Sequence, residues 1–267
     1  MAQSRGAAVV GGDPMVARVV SVVEHIGEIA MLASALVGVA LRPRAWFGDM
    51  VREASRQSID ALPLVIFLSA LGGALLSQQT GYQFQGTLPA WVVGSIVAAS
   101  AVTEMAPLFA GFALVGTVGT RIVAEVAAMR VTQQIDALEV MSRDPIVYLV
   151  APRVVAGMVT GPLVMCFALV SSMLAGWLFA LLTTRADTAD FWFGVRHYMR
   201  DFPLFFALIK GWAFGAAITF TACYAGLETR GGSAGVGRSV CRGVMWMIAA
   251  IILADTALVP LLKVVPA

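Results

Sequence analysis

The chain has 267 residues, of which 59% are hydrophobic and 13% charged, with a mean hydropathy of +0.85 and a formal net charge of +2. Soluble domains carry about 25% charged residues, and a single core of this size has no room for so much apolar surface, so a soluble globular protein is excluded and an integral membrane protein is expected. The small net charge gives no footing for nucleic acid.

Residues 1–14 (MAQSRGAAVVGGDP) lack the long apolar core of a secretory signal and read as a short disordered lead. Asp13-Pro14 has the cap-then-proline pattern of a helix start. Met15–Leu41 is long enough to span a membrane but carries Arg18, Glu24, His25 and Glu28, which predicts a helix lying in the interface. Arg42, Arg44, Trp46 and Phe47 mix cations and aromatics, as at the headgroup level. The charged stretch Phe47–Asp60 completes an interfacial region over 15–60 on the cytoplasmic side.

Ala61–Thr103 is 43 residues without a charge, twice the roughly 20 that one helical span needs. Its middle, 77–89 (SQQTGYQFQGTLP), is polar and glycine-containing, so the stretch predicts a hairpin of two spans, 61–79 and 90–120, the second carrying Glu104 and Pro107. Arg121–Asp144 is charged and contains a short amphipathic helix over 130–143. Asp144-Pro145 opens a third span at 146–183, with Pro162 as a place to kink. The segment 187–201, with Phe191, Trp192, Phe193 and Tyr198, reads as an outer interfacial helix. A fourth span, 202–227, holds Lys210. The glycine-rich basic stretch Glu228–Arg242 is expected to be a loop, leading into a fifth span at 240–263 that holds Asp255.

The expected fold is thus an all-α integral membrane protein. It has an N-terminal interfacial helix, five transmembrane helices, a cytoplasmic helix between the second and third, and a short outer helix, all in one domain over 15–267. Lys and Arg number six in residues 1–60, four in 121–153 and three in 228–242, against none in the 80–89 turn. The outer loop's Arg185, Arg196 and Arg200 are offset by Asp187, Asp190 and Asp201. The positive-inside rule then places the N-terminus in the cytoplasm and the C-terminus outside. No internal repeat of the inverted kind is evident.

Glu104 is the first charge after the 43-residue apolar passage. An acid within a span is costly and marks a functional position by default, which favours a cavity-lining group over one that merely reaches water or the Thr103 hydroxyl. Gly111, Gly116 and Gly119 leave a flat helix face for close packing, within one chain or between two. There is no GxxxxGK[ST] motif, so ATP binding by a P-loop is not expected in this chain. In 131–141 (VTQQIDALEVM), Val131, Ile135, Leu138 and Met141 recur at helical spacing. The polar face shows Gln, Asp and Glu where a membrane-surface helix would show Lys and Arg, so this segment is expected to dock its stripe in a groove on a soluble protein. Lys210 and Asp255 suit an interhelical ion pair or a headgroup contact. His25 and His197 stand alone. Cys166, Cys223 and Cys241 have unrelated spacings and give no metal or redox motif. No nucleophile–base pair or carboxylate dyad is present, so the chain is not expected to be an enzyme.

The segments 104–145 (EMAPLFAGFALVGTVGTRIVAEVAAMRVTQQIDALEVMSRDP), Pro152-Arg153 and 228–239 (ETRGGSAGVGRS) resemble the MlaE/YrbE permease family, the membrane subunit of MCE-type ABC lipid transporters. The likeness covers roughly residues 20–262. It implies a homodimer of five-span chains with an elbow helix before the first span, in the bacterial inner membrane. It also implies a cytoplasmic ABC ATPase, whose own ATP and Mg are its cofactors, and which engages the coupling helix through Arg130, Val131, Gln134, Ile135, Asp136, Leu138, Glu139 and Met141. An MCE-domain protein would sit on the outer face, and some systems add a STAS-domain protein. The lipid cavity implied by the family falls at Leu75, Leu76, Gln79, Tyr82 and Phe84, with Thr103 and Glu104. Members with a phospholipid role can carry Arg where this chain has Thr103, so headgroup specificity is left open. The function implied is an ABC permease moving lipids, with phospholipids the first class to test. Two readings from other classes stand beside it: an ion- or proton-coupled secondary transporter using Glu104, Lys210 and Asp255, and a passive membrane anchor for an ATPase.

Overall fold

The computed structural model describes Met31 and residues 46–83, 89, 91–183, 187–199 and 203–263. The interfacial helix expected over Met15–Leu41 and the cavity residue Phe84 lie outside the described residues. Among the described residues every regular element is helical. These elements are α1 (Phe47–Gln83), α2 (Trp91–Val131), α3 (Gln134–Val140), α4 (Ile146–Thr183), α5 (Thr188–Tyr198), α6 (Pro203–Leu227) and α7 (Gly232–Lys263). Five of them, α1, α2, α4, α6 and α7, are long and apolar enough to cross a membrane, so the protein is a multi-pass membrane protein.

Several boundaries differ from the sequence expectation: α1 and α2 run on to Gln83 and Val131, past the expected ends at 79 and 120, and two further stretches change class. Phe47–Asp60 is not a separate interfacial element: it is the first third of α1, a 37-residue helix that continues through Pro63. The charged face of that third is met by partners on α2 and α4, which removes the need to lie on the membrane surface. The basic stretch 228–242 is mostly helix as well. Gly231 (φ +93°) and Gly232 (φ +67°) turn the chain in the left-handed region that glycine enters without penalty, and α7 starts at once. Glycines at 235 and 237 weaken a helix by only about 1 kcal/mol each, which the apolar length that follows overrides.

α1 packs most extensively on α4, α4 on α6, and α6 on α7; the C-terminal part of α2 wedges between α6 and α7, and its first turns pair with α5. In a bilayer, apolar burial does not drive helices together, because lipid tails are as apolar as leucine; close backbone approach does. Accordingly, Gly157 and Gly161 of α4 face Gly211 and Gly215 of α6 so tightly that a Cβ on Gly161 would strike the Gly211 carbonyl, and one on Gly215 the Gly157 carbonyl. Of the predicted flat face, Gly119 abuts Met247 and Ile218, and Gly111 abuts Phe214 and Ile251, so these two serve packing within the chain. Gly116 is exposed.

The two ends of the bundle differ chemically. At one end Trp91 stands edge-on to Phe193 (5.9 Å) and His197 (5.5 Å), and Trp177 lies 6.5 Å from Trp192, an aromatic belt of the kind found at headgroup level. At the other end lie α3 and a group of paired arginines and carboxylates.

Candidate functional site: a three-span ion cluster and a short helix at the bundle end

α2 is not uniform. It contains two π-helical turns, Ala101–Met105 and Val115–Gly119, a local widening often found at functional positions. The first has a visible cause. In an α-helix the Thr103 carbonyl would accept from the N–H of residue 107, which is Pro107 and has none. The Lys210 ammonium, arriving from α6, donates to that carbonyl instead, at 2.7 Å. Thr103 turns its own hydroxyl back to the Ala99 carbonyl (2.8 Å), so its side chain is engaged locally.

Lys210 is fully buried (0% exposed). A buried ammonium is tolerated only when paired, and here two acids from two other spans meet it. Asp255 of α7 is 2.6 Å away and only 13% exposed; Glu104 of α2 is 3.3 Å away and 41% exposed. Lys210 also lies 5.2 Å from the centre of the Phe206 ring. The three charged residues of the apolar windows are therefore one cluster joining α2, α6 and α7. Asp255 is the enclosed counterion, and Glu104 is the arm that also faces outward from the chain.

On α1, Leu75 (61% exposed), Gln79 and Tyr82 (64%) stand on one exposed face with Leu71, while Leu76 is half-buried. In a single chain this is an open face. The one small cavity worth noting lies deeper, lined by Gln57, Thr160, Thr219 and neighbours; at about 10 Å³ it has room for about one water molecule.

In the short helix α3 the predicted stripe divides. Ile135 is 2% exposed, in the protein's own core, and Leu138 packs against that core. These two residues pack within the chain, while Met141 of the same stripe is exposed. Tight turns impose this orientation: Gln133 (φ 59°) and Ser142 (φ 58°) reverse the chain on either side of a seven-residue helix, pressing it against the bundle. Arg130 pairs with Asp136 at 2.7 Å and fastens α3 to the end of α2. The exposed surface at α3 consists of Gln134, Asp136, Glu139, Val140 (86% exposed) and Met141 (61%), with Val131 half-buried beside it.

The sequence groups Glu104, Lys210 and Asp255 only as a candidate relay; it does not show that both acids meet the one ammonium. Pro107 four residues beyond Thr103 was the signal, since it marks a carbonyl lacking its helical donor. Also missed was the ion network of Glu53, Arg56, Asp60, Arg121, Glu125 and Arg153, which unites α1, α2 and α4 at the end of the bundle that carries α3.

Residues 50–261 match the family described as Permease MlaE. A probable ABC transporter permease of Rickettsia conorii is 30% identical over 228 residues, covering 85% of this chain and 88% of that protein. A probable ABC transporter permease of Synechocystis is 29% identical, covering 73% and 74%. The chloroplast protein TRIGALACTOSYLDIACYLGLYCEROL 1 of Arabidopsis thaliana is 27% identical, covering 86% of this chain and 66% of that protein.

Proposed function

The chain belongs to the MlaE permease family and is a transport subunit of the ABC permease type, which implies an ATPase partner; from that premise we propose that it moves lipids, phospholipids first among them, between the inner membrane and an MCE-domain protein on its outer face. A separate cytoplasmic ATPase supplies the force, joined in some assemblies by a STAS-domain protein. Two copies of the chain form the working unit, bringing the open α1 faces together around a shared space for the acyl chains. In this reading the N-terminus is cytoplasmic and the C-terminus outside, which is supported by the arginine distribution and by the five long apolar helices among the described residues.

The observation that carries the lipid reading is the pairing of an apolar exposed face, Leu71, Leu75 and Tyr82, with the partly exposed Glu104. Acyl chains suit the first, and a headgroup suits the second. The Arabidopsis relative bears the name of a lipid, which supports the same cargo class. The ion-coupled alternative needs a chain of titratable groups through the bilayer. Lys210 instead is buried against Asp255 and reaches the chain's surface only through Glu104, which favours a structural latch over a relay.

The test is transfer of a fluorescent phospholipid by the chain reconstituted with its ATPase. Transfer that requires ATP supports the proposal; transfer driven by a proton gradient without nucleotide supports the alternative.

A further inference from the structure

The ion network at the α3 end of the bundle does more than neutralise charge. Arg121 of α2, 16% exposed, reaches three carboxylates: Glu53 (2.9 Å) and Asp60 (3.3 Å) on α1, and Glu125 (3.2 Å) on its own helix. Glu125 in turn receives Arg56 of α1 (3.1 Å) and Arg153 of α4 (3.4 Å). Gln57, fully buried, donates to the Arg153 carbonyl (3.3 Å) and to Glu53 (3.4 Å). Three guanidiniums face three carboxylates, so the group is electrically balanced, and among the described residues only Arg121 joins Glu53 and Asp60 to Glu125. The planar guanidinium hydrogen-bonds Glu53 and Glu125 through its two terminal nitrogens while its Nε side lies against Asp60 as an ion pair, a fork that the point charge of a lysine does not reproduce.

The helices are irregular just outward of this network. Pro63 lies ten residues beyond Glu53 in α1, Pro162 nine beyond Arg153 in α4, and the π turn Val115–Gly119 immediately precedes Thr120-Arg121 in α2. A Cβ on Gly116 would lie 3.9 Å from Leu64, so the π turn and the first proline are at the same depth. Prolines and π turns are where helices bend. On the inward side, α2 runs unbroken from Thr120 to Val131 and is fastened to α3 by Arg130–Asp136 and by the buried Ile135.

We propose that Arg121 is a positioning residue that locks the inner ends of α1, α2 and α4 into one rigid base carrying α3, and that this base tilts about Pro63, Val115–Gly119 and Pro162. Displacement of α3 by a soluble partner is thereby delivered to α1, whose outer half carries Leu75, Gln79 and Tyr82. The proposal rests on the ATPase-driven reading above.

The test is Arg121→Gln in the chain assembled with its ATPase in liposomes. ATP hydrolysis should stay within about twofold of the unaltered complex while lipid transfer falls about tenfold, and Arg121→Lys should recover only part of the loss. The double variant Glu53→Gln/Arg121→Gln should lose no more transfer than Arg121→Gln alone, because Glu53 acts through Arg121. Spin labels on the exposed positions Arg52 and Ala137, with labelled chain diluted into unlabelled chain, should give one narrow intrachain distance in the unaltered protein and a broad distribution in Arg121→Gln. If Arg121→Gln does not accumulate, Glu53→Gln replaces it, since Arg121 then keeps Asp60 and Glu125. Retained transfer, equal loss of transfer and hydrolysis, or an unchanged narrow distance would each overturn the proposal. If the unaltered complex moves no lipid at all, the cargo reading fails separately, and the label distance still decides whether the base is rigid.

Discussion

The Lys210 ammonium of α6 lies 2.6 Å from the Asp255 carboxylate of α7, and it is completely enclosed. With Glu104 at 3.3 Å, a single cation holds acids from two other spans. The strength of such a group lies in completeness: removing one partner strands a charge in a medium that cannot solvate it.

Lys210→Met should therefore be severely destabilising, by about 3–5 kcal/mol, because two carboxylates lose their common cation. Thermal unfolding in detergent checks this, with a large fall in Tm expected. A Tm equal to that of the unaltered protein would mean that the acids are satisfied elsewhere.

Glu104→Gln should behave differently. Glu104 is 41% exposed and Asp255 remains beside the ammonium, so stability should change by less than about 1 kcal/mol. Lipid transfer should fall more than stability does. Comparing transfer rate with Tm for the same preparation separates the two, and proportional loss of both would make Glu104 structural.

On α3 the outcomes are inverted relative to a reading of its stripe alone. Ile135→Asp should compromise folding, since it buries an unpaired charge in the core. Val140→Asp and Met141→Asp, at exposed positions, should leave the fold intact and weaken ATPase binding about tenfold, as loss of an apolar anchor does. Co-purification of the ATPase with each variant reads the difference. Tight association of the Val140 and Met141 variants would place the docking surface elsewhere.

Gly161→Val should separate α4 from α6. The added carbons would collide with the backbone of Gly211, which cannot move as a flexible side chain does, and overpacking costs about 1–3 kcal/mol. Gly48→Ala, where a Cβ meets nothing within 4 Å, is the control. Equal thermal stability of the two variants would argue against a glycine-mediated crossing.

Much of the fold was legible because a bilayer imposes simple demands. A charge-free run such as Ala61–Thr103 must be helical to satisfy its backbone, and its length counts the spans. Interruptions within a helix were harder to read. Phe47–Asp60 looked like a surface segment because its charges were visible and their partners were not: Glu53 is answered by Arg121, 68 residues away. Likewise the Ile135 stripe has the spacing of an amphipathic helix, and spacing alone does not say whether the apolar side meets a partner or the chain itself. Glu104 stood out as a lone acid, yet its meaning depends on Lys210, 106 residues later. Periodicity reports faces, and long-range pairing decides what each face meets.

The most direct measurement is phospholipid transfer in liposomes containing the chain and its ATPase, with ATP present or withheld and with or without a proton gradient. Transfer that depends on ATP and collapses when Val140 and Met141 are both replaced by Asp is the predicted result. Transfer that continues without nucleotide, sustained by the gradient alone, would contradict the account.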